Sequence, residues 1–302
     1  GADTFMGLPP CFDVTQIEAK IGLIGVPCAT PYPSVGPYCS GAPAAMRAVM
    51  SHYGDNIQHM DFDLGGRVFP DGEVCAVDCG DLPYDEDAPR ANRKRIRDAI
   101  CWMLDRGAVP IVMGGDDSVP IPVVQSFEGR GDLTILQIDA HIDWREEVGG
   151  VQMGLSSTMR RSSETPHVTK IIQAGQRAIG SARPQDYEDA VAWGTKFITA
   201  HQIHKEGTAQ VIEQIERGSD VLISLDVDAL DPSIVPAVIG PAPGGLSYYQ
   251  VIEMIQGVAG KARIAGFNIV ELFPERDVNG LGALNAARIV INALGHVARQ
   301  VA

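Results

Sequence analysis

Leu133-Thr134-Ile135-Leu136-Gln137-Ile138 runs without interruption into Asp139-Ala140-His141-Ile142-Asp143. A short, mostly apolar run with no clean alternation reads as a strand buried on both faces, the kind found in a parallel sheet covered by helices. Where it ends, Asp, His and Asp occupy alternating positions, so three ligand-capable side chains can converge at the carboxyl edge of the sheet. Working outward, similar runs lie at residues 21–26, 74–77, 109–113, 170–174, 196–199, 221–225 and 264–270. Apolar residues recur at helical spacing over 93–106, 184–193, 209–217, 248–258 and 281–297. The alternation predicts an α/β fold whose eight strands form one wide sheet.

The 302 residues, 45% of them hydrophobic, are enough for a sizeable core. We expect a single domain over 1–302, because no linker, fixed-period repeat, low-complexity stretch or charge block divides the chain. Twenty-four Lys and Arg against 38 Asp and Glu leave a formal net charge of -14, which repels phosphate backbones and anionic lipid. No nucleic-acid or membrane partner is expected. No uninterrupted run reaches the roughly 18 apolar residues of a membrane span, and residues 1–10 carry no basic segment followed by an apolar one. The expected location is the cytoplasm. Its reducing environment suits Cys11, Cys28, Cys39, Cys75, Cys79 and Cys101, which are too sparse for a disulfide framework and lack paired Cys-x-x-Cys spacing.

Pro and Gly gather in 27–43 and 232–245, both after strands, where the loops of open α/β sheets carry function. The second of these follows Ser224-Leu225-Asp226-Val227-Asp228-Ala229-Leu230-Asp231-Pro232. Asp226 and Asp228 share a face if the strand continues through them. Three unpaired carboxylates after one apolar strand would repel, so a cation between them is the economical reading. Two such strand ends point to a dinuclear centre. A third segment, Gly114-Gly115-Asp116-Asp117-Ser118, follows the run at 109–113, and its glycines permit a tight turn. Alone it reads as a capped strand-to-helix turn.

Together, in this order and spacing, the three segments resemble the ureohydrolase family of arginase, agmatinase and guanidino-acid hydrolases. Supporting matches are Gly41-Ala42-Pro43-Ala44-Ala45-Met46-Arg47, Val77-Asp78-Cys79-Gly80-Asp81, Pro241-Ala242-Pro243-Gly244-Gly245-Leu246 and Val270-Glu271. The resemblance implies a three-layer α/β/α fold with an eight-stranded parallel sheet and two divalent metal ions, Mn2+ or Ni2+, at its carboxyl edge. Asp139 and Asp226 would bridge both metals, Asp143 would complete one site, and His141 with Asp228 the other. Such a pair, about 3.5 Å apart, lowers the pKa of a water for attack on a guanidinium carbon, releasing urea and an amine. Asp139, His141, Asp226 and Glu271 would be catalytic. Glu271 matches the position whose carboxylate accepts paired hydrogen bonds from the guanidinium.

Two positions depart from the family pattern. Asp117 stands where the first histidine ligand is expected, and carboxylate is a harder donor than imidazole. Met153, followed by Gly154, stands near the substrate where arginase and agmatinase place a proton-shuttling histidine, and methionine transfers no proton. Both departures, with the loop 144–150, direct attention to variant branches. These include bacterial guanidine hydrolase and the biguanide-cleaving metformin hydrolase, which use nickel. The implied substrate is a small cationic guanidine: agmatine-like, a guanidino acid, guanidine itself or a biguanide such as metformin. The implied assembly is a homo-oligomer, trimer or hexamer, or a hetero-oligomer with a related subunit. A non-catalytic subunit of such a hetero-oligomer is the alternative that Asp117 and Met153 raise. The nearly complete ligand set speaks against it.

Other candidates are weaker. His201 and His204 read as surface or capping residues, and Cys75 and Cys79 as packed thiols. Glu146 and Glu147 read as solvated loop acids. Walker, dinucleotide, nucleophile-elbow and zincin motifs are absent from the sequence.

Overall fold

A computed structural model of the protein describes residues 4–180 and 182–302. In chain order its elements are β1 (Ile21–Gly25), α1 (Ala42–Met50), β2 (Met60–Asp61), β3 (Gly66–Arg67), β4 (Ala76–Asp81), α2 (Pro89–Asp105), β5 (Val109–Met113), α3 (Pro120–Gln125), β6 (Leu133–Ile138) and α4 (Thr158–Ser163). There follow β7 (Val168–Ala174), α5 (Pro184–Trp193), β8 (Lys196–Ile198), α6 (Ala200–Glu206), α7 (Ala209–Glu213), β9 (Asp220–Asp226), α8 (Tyr248–Lys261), β10 (Arg263–Val270) and α9 (Leu281–Val301). Eight strands form one sheet in the order β4-β1-β5-β10-β9-β6-β7-β8, and every pairing in it is parallel. β2 and β3 make a small antiparallel pair that the sequence pattern did not announce.

Alternation along each strand sends side chains into two separate cores. Ile111, Leu136, Ile138, Ile223 and Leu225 pack with Met46 of α1, Ile255 of α8 and the inward face of α9. Val112, Ile135, Ile171 and Leu222 pack with Ile100 of α2, Val123 of α3, Met159 of α4 and Ala190 of α5. The result is the expected three-layer α/β/α arrangement with an eight-stranded parallel sheet. On the second face, the row just before the strand ends is polar. Asn268, Ser224, Gln137 and Gln173 are partnered strand to strand across β10, β9, β6 and β7, and all are buried.

Differences from the sequence reading have local causes. The strand expected at 74–77 runs instead over Ala76–Asp81, because the buried Asp78 is neutralised in place. Its carboxylate accepts from Arg47 Nε and Nη2 at 2.8 Å each and from the Phe5 N–H at 2.7 Å. The outer margin of β4 is not bare. Asp78 donates its N–H to Pro9 O at 3.0 Å and accepts from Cys11 N–H at 2.8 Å, so residues 9–11 lie alongside it. α9 is long and apolar enough to cross a membrane by length and composition, with a mean hydropathy of 1.2. Its isoleucines, valines, leucines and alanines raise that mean, while Asn285, Arg288, Asn292 and His296 interrupt the apolar run. In the fold, 72% of that window is buried, as befits a core helix.

Candidate metal centre

The four middle strands, β5, β10, β9 and β6, deliver the residues of the candidate site at or just beyond their carboxyl ends. After β5 the chain turns through Gly114 and Gly115, whose φ values of 89° and 81° favour glycine. The turn delivers two aspartates with different tasks. Asp116 accepts from the N–H groups of Ala29 (3.1 Å) and Ser118 (3.0 Å) and from the Cys28 thiol, so it ties the turn to the β1 loop. Asp117 turns toward the site, and its Oδ2 is buried without a hydrogen-bond partner. After β6, Asp139 accepts from the His141 N–H at 2.5 Å, and Asp143 takes the left-handed conformation at φ 51°. After β9, Asp226 Oδ1 accepts from the Asp228 N–H at 2.7 Å. Asp228 lies on one 3-10 turn (Val227–Ala229), not on a continued strand, and this turn brings the two acids together. Asp231 faces elsewhere. It accepts from Ser233, Gly244 and Gly245 N–H groups at 3.0 Å and closes the following loop.

Two donor sets emerge, each with its ligand atoms within 4.8 Å of one another: Asp117 with Asp139 and Asp143, and Asp139 with His141 and Asp228. Asp139 belongs to both. Asp226 lines the same cavity of about 210 Å³, together with Asp117, His141, Asp143, Asp228 and Glu271. His141 Nδ1 lies 3.0 Å from Asp228 Oδ2 and 3.5 Å from Asp139 Oδ1, and its ring is the most open of the group, 35% exposed.

The electrostatics match a site built for cations. Burial, then the charges of Asp143, Asp139 and Glu271, hold the Asp117 carboxyl well above the usual range. Asp139, Asp143 and Asp226 are raised by burial and then by a neighbouring aspartate. Burial opposes charge on His141, but Asp139 and Asp228 outweigh it and push the imidazole up to about 12. Asp228 is lowered despite its burial, through its contact with His141. A proton on one imidazole thus stands against a crowd of buried acids. The orphaned Asp117 oxygen, the shared Asp139 and the oxygen-rich donors fit a pair of hard divalent cations.

Glu271 extends from the end of β10 with φ 69°. Its Oε1 accepts from the Asp117 N–H at 2.7 Å and its Oε2 from the Tyr38 hydroxyl at 2.5 Å. Burial pushes its carboxyl up to about 8, while the Tyr38 hydrogen bond pulls the other way. Trp144, Arg145, Leu155 and Ser156 add a wall from the loop after β6. Met153 lies half-buried on that loop and is not on the wall. Gly154 is packed against the Tyr32 ring, where an added Cβ would lie 2.3 Å from a ring carbon.

Sequence reasoning missed Tyr38, Arg177 and the glutamines beneath the site. Arg177 donates to the carbonyls of Asp228 (2.6 Å), Ala229 (3.2 Å) and Ala242 (2.8 Å), and so holds the Asp228 turn in place. Tyr38 falls within the Pro-rich loop marked as functional, but nothing in its sequence context announces a partner on β10.

The sequence profile of the Arginase family matches residues 19–295. The chain belongs to that family. An N(1)-aminopropylagmatine ureohydrolase of Thermus thermophilus is 34% identical over 218 residues, 71% of each chain. A guanidinobutyrase of Pseudomonas aeruginosa is 28% identical over 302 residues, covering 97% of this chain and 92% of its own. Among solved structures, the proclavaminate amidino hydrolase of Streptomyces clavuligerus superposes with a TM-score of 0.81 at 25% identity, covering 99% of this chain and 98% of that one. As an arginase-family member the protein is a hydrolase of guanidino C–N bonds, from a family that depends on paired metal ions.

Proposed function

We propose that this protein hydrolyses a small, cationic guanidine-type substrate to urea and an amine, with Asp117, Asp139, His141, Asp143, Asp226 and Asp228 holding two divalent cations, Mn2+ or Ni2+. The observation that carries this reading is the pair of donor sets that share Asp139 at the centre of the sheet edge. Bound there, two divalent cations supply Lewis-acid activation of a water for attack on the guanidinium carbon. The protein's own part is placement. Asp139 is common to both donor sets, Asp226 faces the same cavity from the end of β9, and His141 and Asp228 complete the more open set.

Glu271 is the proposed anchor for the guanidinium. Tyr38 and the Asp117 N–H each engage one of its oxygens, which fixes the carboxylate plane and leaves each oxygen a second lone pair for a substrate N–H. The acid-rich wall favours a cation, and a cavity of about 210 Å³ suits a short chain. Agmatine-like amines, guanidino acids, guanidine and biguanides such as metformin fit that description. On the loop of Met153, Leu155 and Ser156 take the substrate-contacting place, because they face the cavity. The six free thiols accord with a cytoplasmic location.

The test is metal analysis of the purified chain, paired with urea release from a guanidine panel after loading with Mn2+ or Ni2+. The reading expects two metals per chain and turnover of one substrate. Asp139→Ala and Asp226→Ala should each lower kcat/KM by at least about 10³, as expected when a catalytic unit loses an essential member. A chain that holds no metal and turns over nothing under either ion would favour the non-catalytic subunit.

A further inference from the structure

Beneath the acids that face the cavity lies a buried chain of two glutamines, closed at its far end by the wall residue Trp144. Gln137 is 1% exposed and Gln173 0%, and they are partnered across β6 and β7. The Gln137 side-chain amide donates from one nitrogen to two oxygens, Asp139 Oδ2 at 2.7 Å and Asp143 Oδ2 at 2.7 Å. Gln137 Oε1 in turn accepts from Gln173 Nε2, which also donates to Ile142 O at 2.9 Å. Gln173 Oε1 accepts from the indole N–H of Trp144 at 2.9 Å.

The direction of this chain is not arbitrary. An amide can flip and exchange its donor and acceptor ends, but an indole N–H only donates and a backbone carbonyl only accepts. Trp144 therefore demands the oxygen end of Gln173, and Ile142 demands its nitrogen end. Gln173 then presents N–H to Gln137, which must turn its oxygen to Gln173 and its nitrogen to the aspartates. Were Gln137 reversed, its oxygen would face the oxygens of two buried aspartates, a costly arrangement. The single donor nitrogen also holds Asp139 Oδ2 and Asp143 Oδ2 side by side.

We infer that Gln137 is a positioning residue for the metal centre: held in one orientation by Gln173 and Trp144, it fixes the shared ligand Asp139 and the single-site ligand Asp143 in register with one another. The inference rests on the dinuclear reading above. It makes an asymmetric demand, because Gln137 touches the set Asp117–Asp139–Asp143 through two members and the set Asp139–His141–Asp228 through only one. Loss of this donor should weaken the first set more than the second. Outer hydrogen bonds to metal ligands commonly govern about 10–100-fold in affinity.

The experiment is calorimetric titration of the metal-free chain with Mn2+ and, separately, Ni2+. Wild type is compared with Gln137→Met, which keeps length and burial but removes the donor. Two binding steps are expected for wild type. In Gln137→Met one step should weaken about 10–100-fold and the other clearly less. Trp144→Phe, which deletes only the far donor, should show the same split at smaller size. It also decides the matter if Gln137→Met fails to fold. Equal weakening of both steps, or wild-type constants in a folded variant, overturns the inference. If wild type itself takes up neither ion, the dinuclear reading fails and the positioning role fails with it.

Discussion

At the scale of single residues, Asp117 is the most consequential departure from the ligand pattern that the sequence resembles. Its buried, partnerless Oδ2 and strongly raised carboxyl show that the position is still turned toward the cluster. Replacing it with histidine removes one buried acid and supplies an imidazole, a donor that suits nickel better than manganese. Asp117→His should shift the ratio of Ni2+ to Mn2+ affinity toward nickel by roughly tenfold, the size of an ordinary change in one ligand's surroundings. Competition titration of the two ions would check it, and an unchanged ratio would remove Asp117 from the ligand set. The aspartates and His141 were legible because each interrupts or ends an apolar run. Gln137 and Gln173 were not, since a polar residue inside a strand gives no sign of what lies across from it.

Elements show the same division between what pattern conveys and what packing decides. β6 and β5 were legible to the residue because both are largely apolar and each is followed at once by a turn-forming residue, Asp139 or Gly114. α5 was equally clear, with Pro184 at its first position and the left-handed Gly194 ending it. α3 was missed: prolines at 120 and 122 make a short helix look like loop, although both occupy its first turn, where no amide hydrogen is required. The turn between β5 and α3 is closely packed. A Cβ on Gly115 would lie 2.4 Å from Val119 Cγ2 and 2.8 Å from Val26 O, at a φ of 81°. Gly115→Ala should therefore cost about 2–4 kcal/mol, combining overpacking with backbone strain. Because Gly115 O also accepts from the Glu271 N–H at 2.8 Å, urea denaturation and KM should be affected together. A variant with wild-type stability would show that the turn relaxes freely.

For the whole molecule, the crowd of buried acids couples pH to metal and to stability. Asp117, Asp139, Asp143 and Asp226 have folded carboxyls above their unfolded range, Glu271 reaches about 8, and His141 about 12. In each case the metal-free folded state binds the proton more tightly than the unfolded chain does. These contributions are complete below the unfolded pKa values and are lost as pH rises through the folded ones. For Glu271 the window runs from about 4.3 to about 8. Asp228, which is lowered, acts in the opposite sense: its contribution is present above the usual aspartate range and fades as pH falls. The larger group prevails, so the metal-free protein should lose Tm between pH 5.5 and 8. Divalent cations displace those protons, so the gain in Tm on adding metal should be larger at pH 8 than at pH 5.5. Scanning calorimetry with and without chelator measures both, and equal gains at the two pH values would show that the ions bind elsewhere.

The sheet's two outer margins are treated differently, and this bears on how copies of the chain meet. On one side, residues 9–11 shield β4, and Pro10 has no amide hydrogen to offer a newcomer. On the other, β8 is only three residues long and begins with an exposed lysine. Neither margin offers a long template for a foreign strand. Growth by sideways strand addition, the route to fibres, is therefore blocked at both ends of a sheet that is otherwise wide and strongly apolar. Any ordered assembly must be built from helices and loops, which leaves the strand-end face with its cavity free of the sheet's own stickiness.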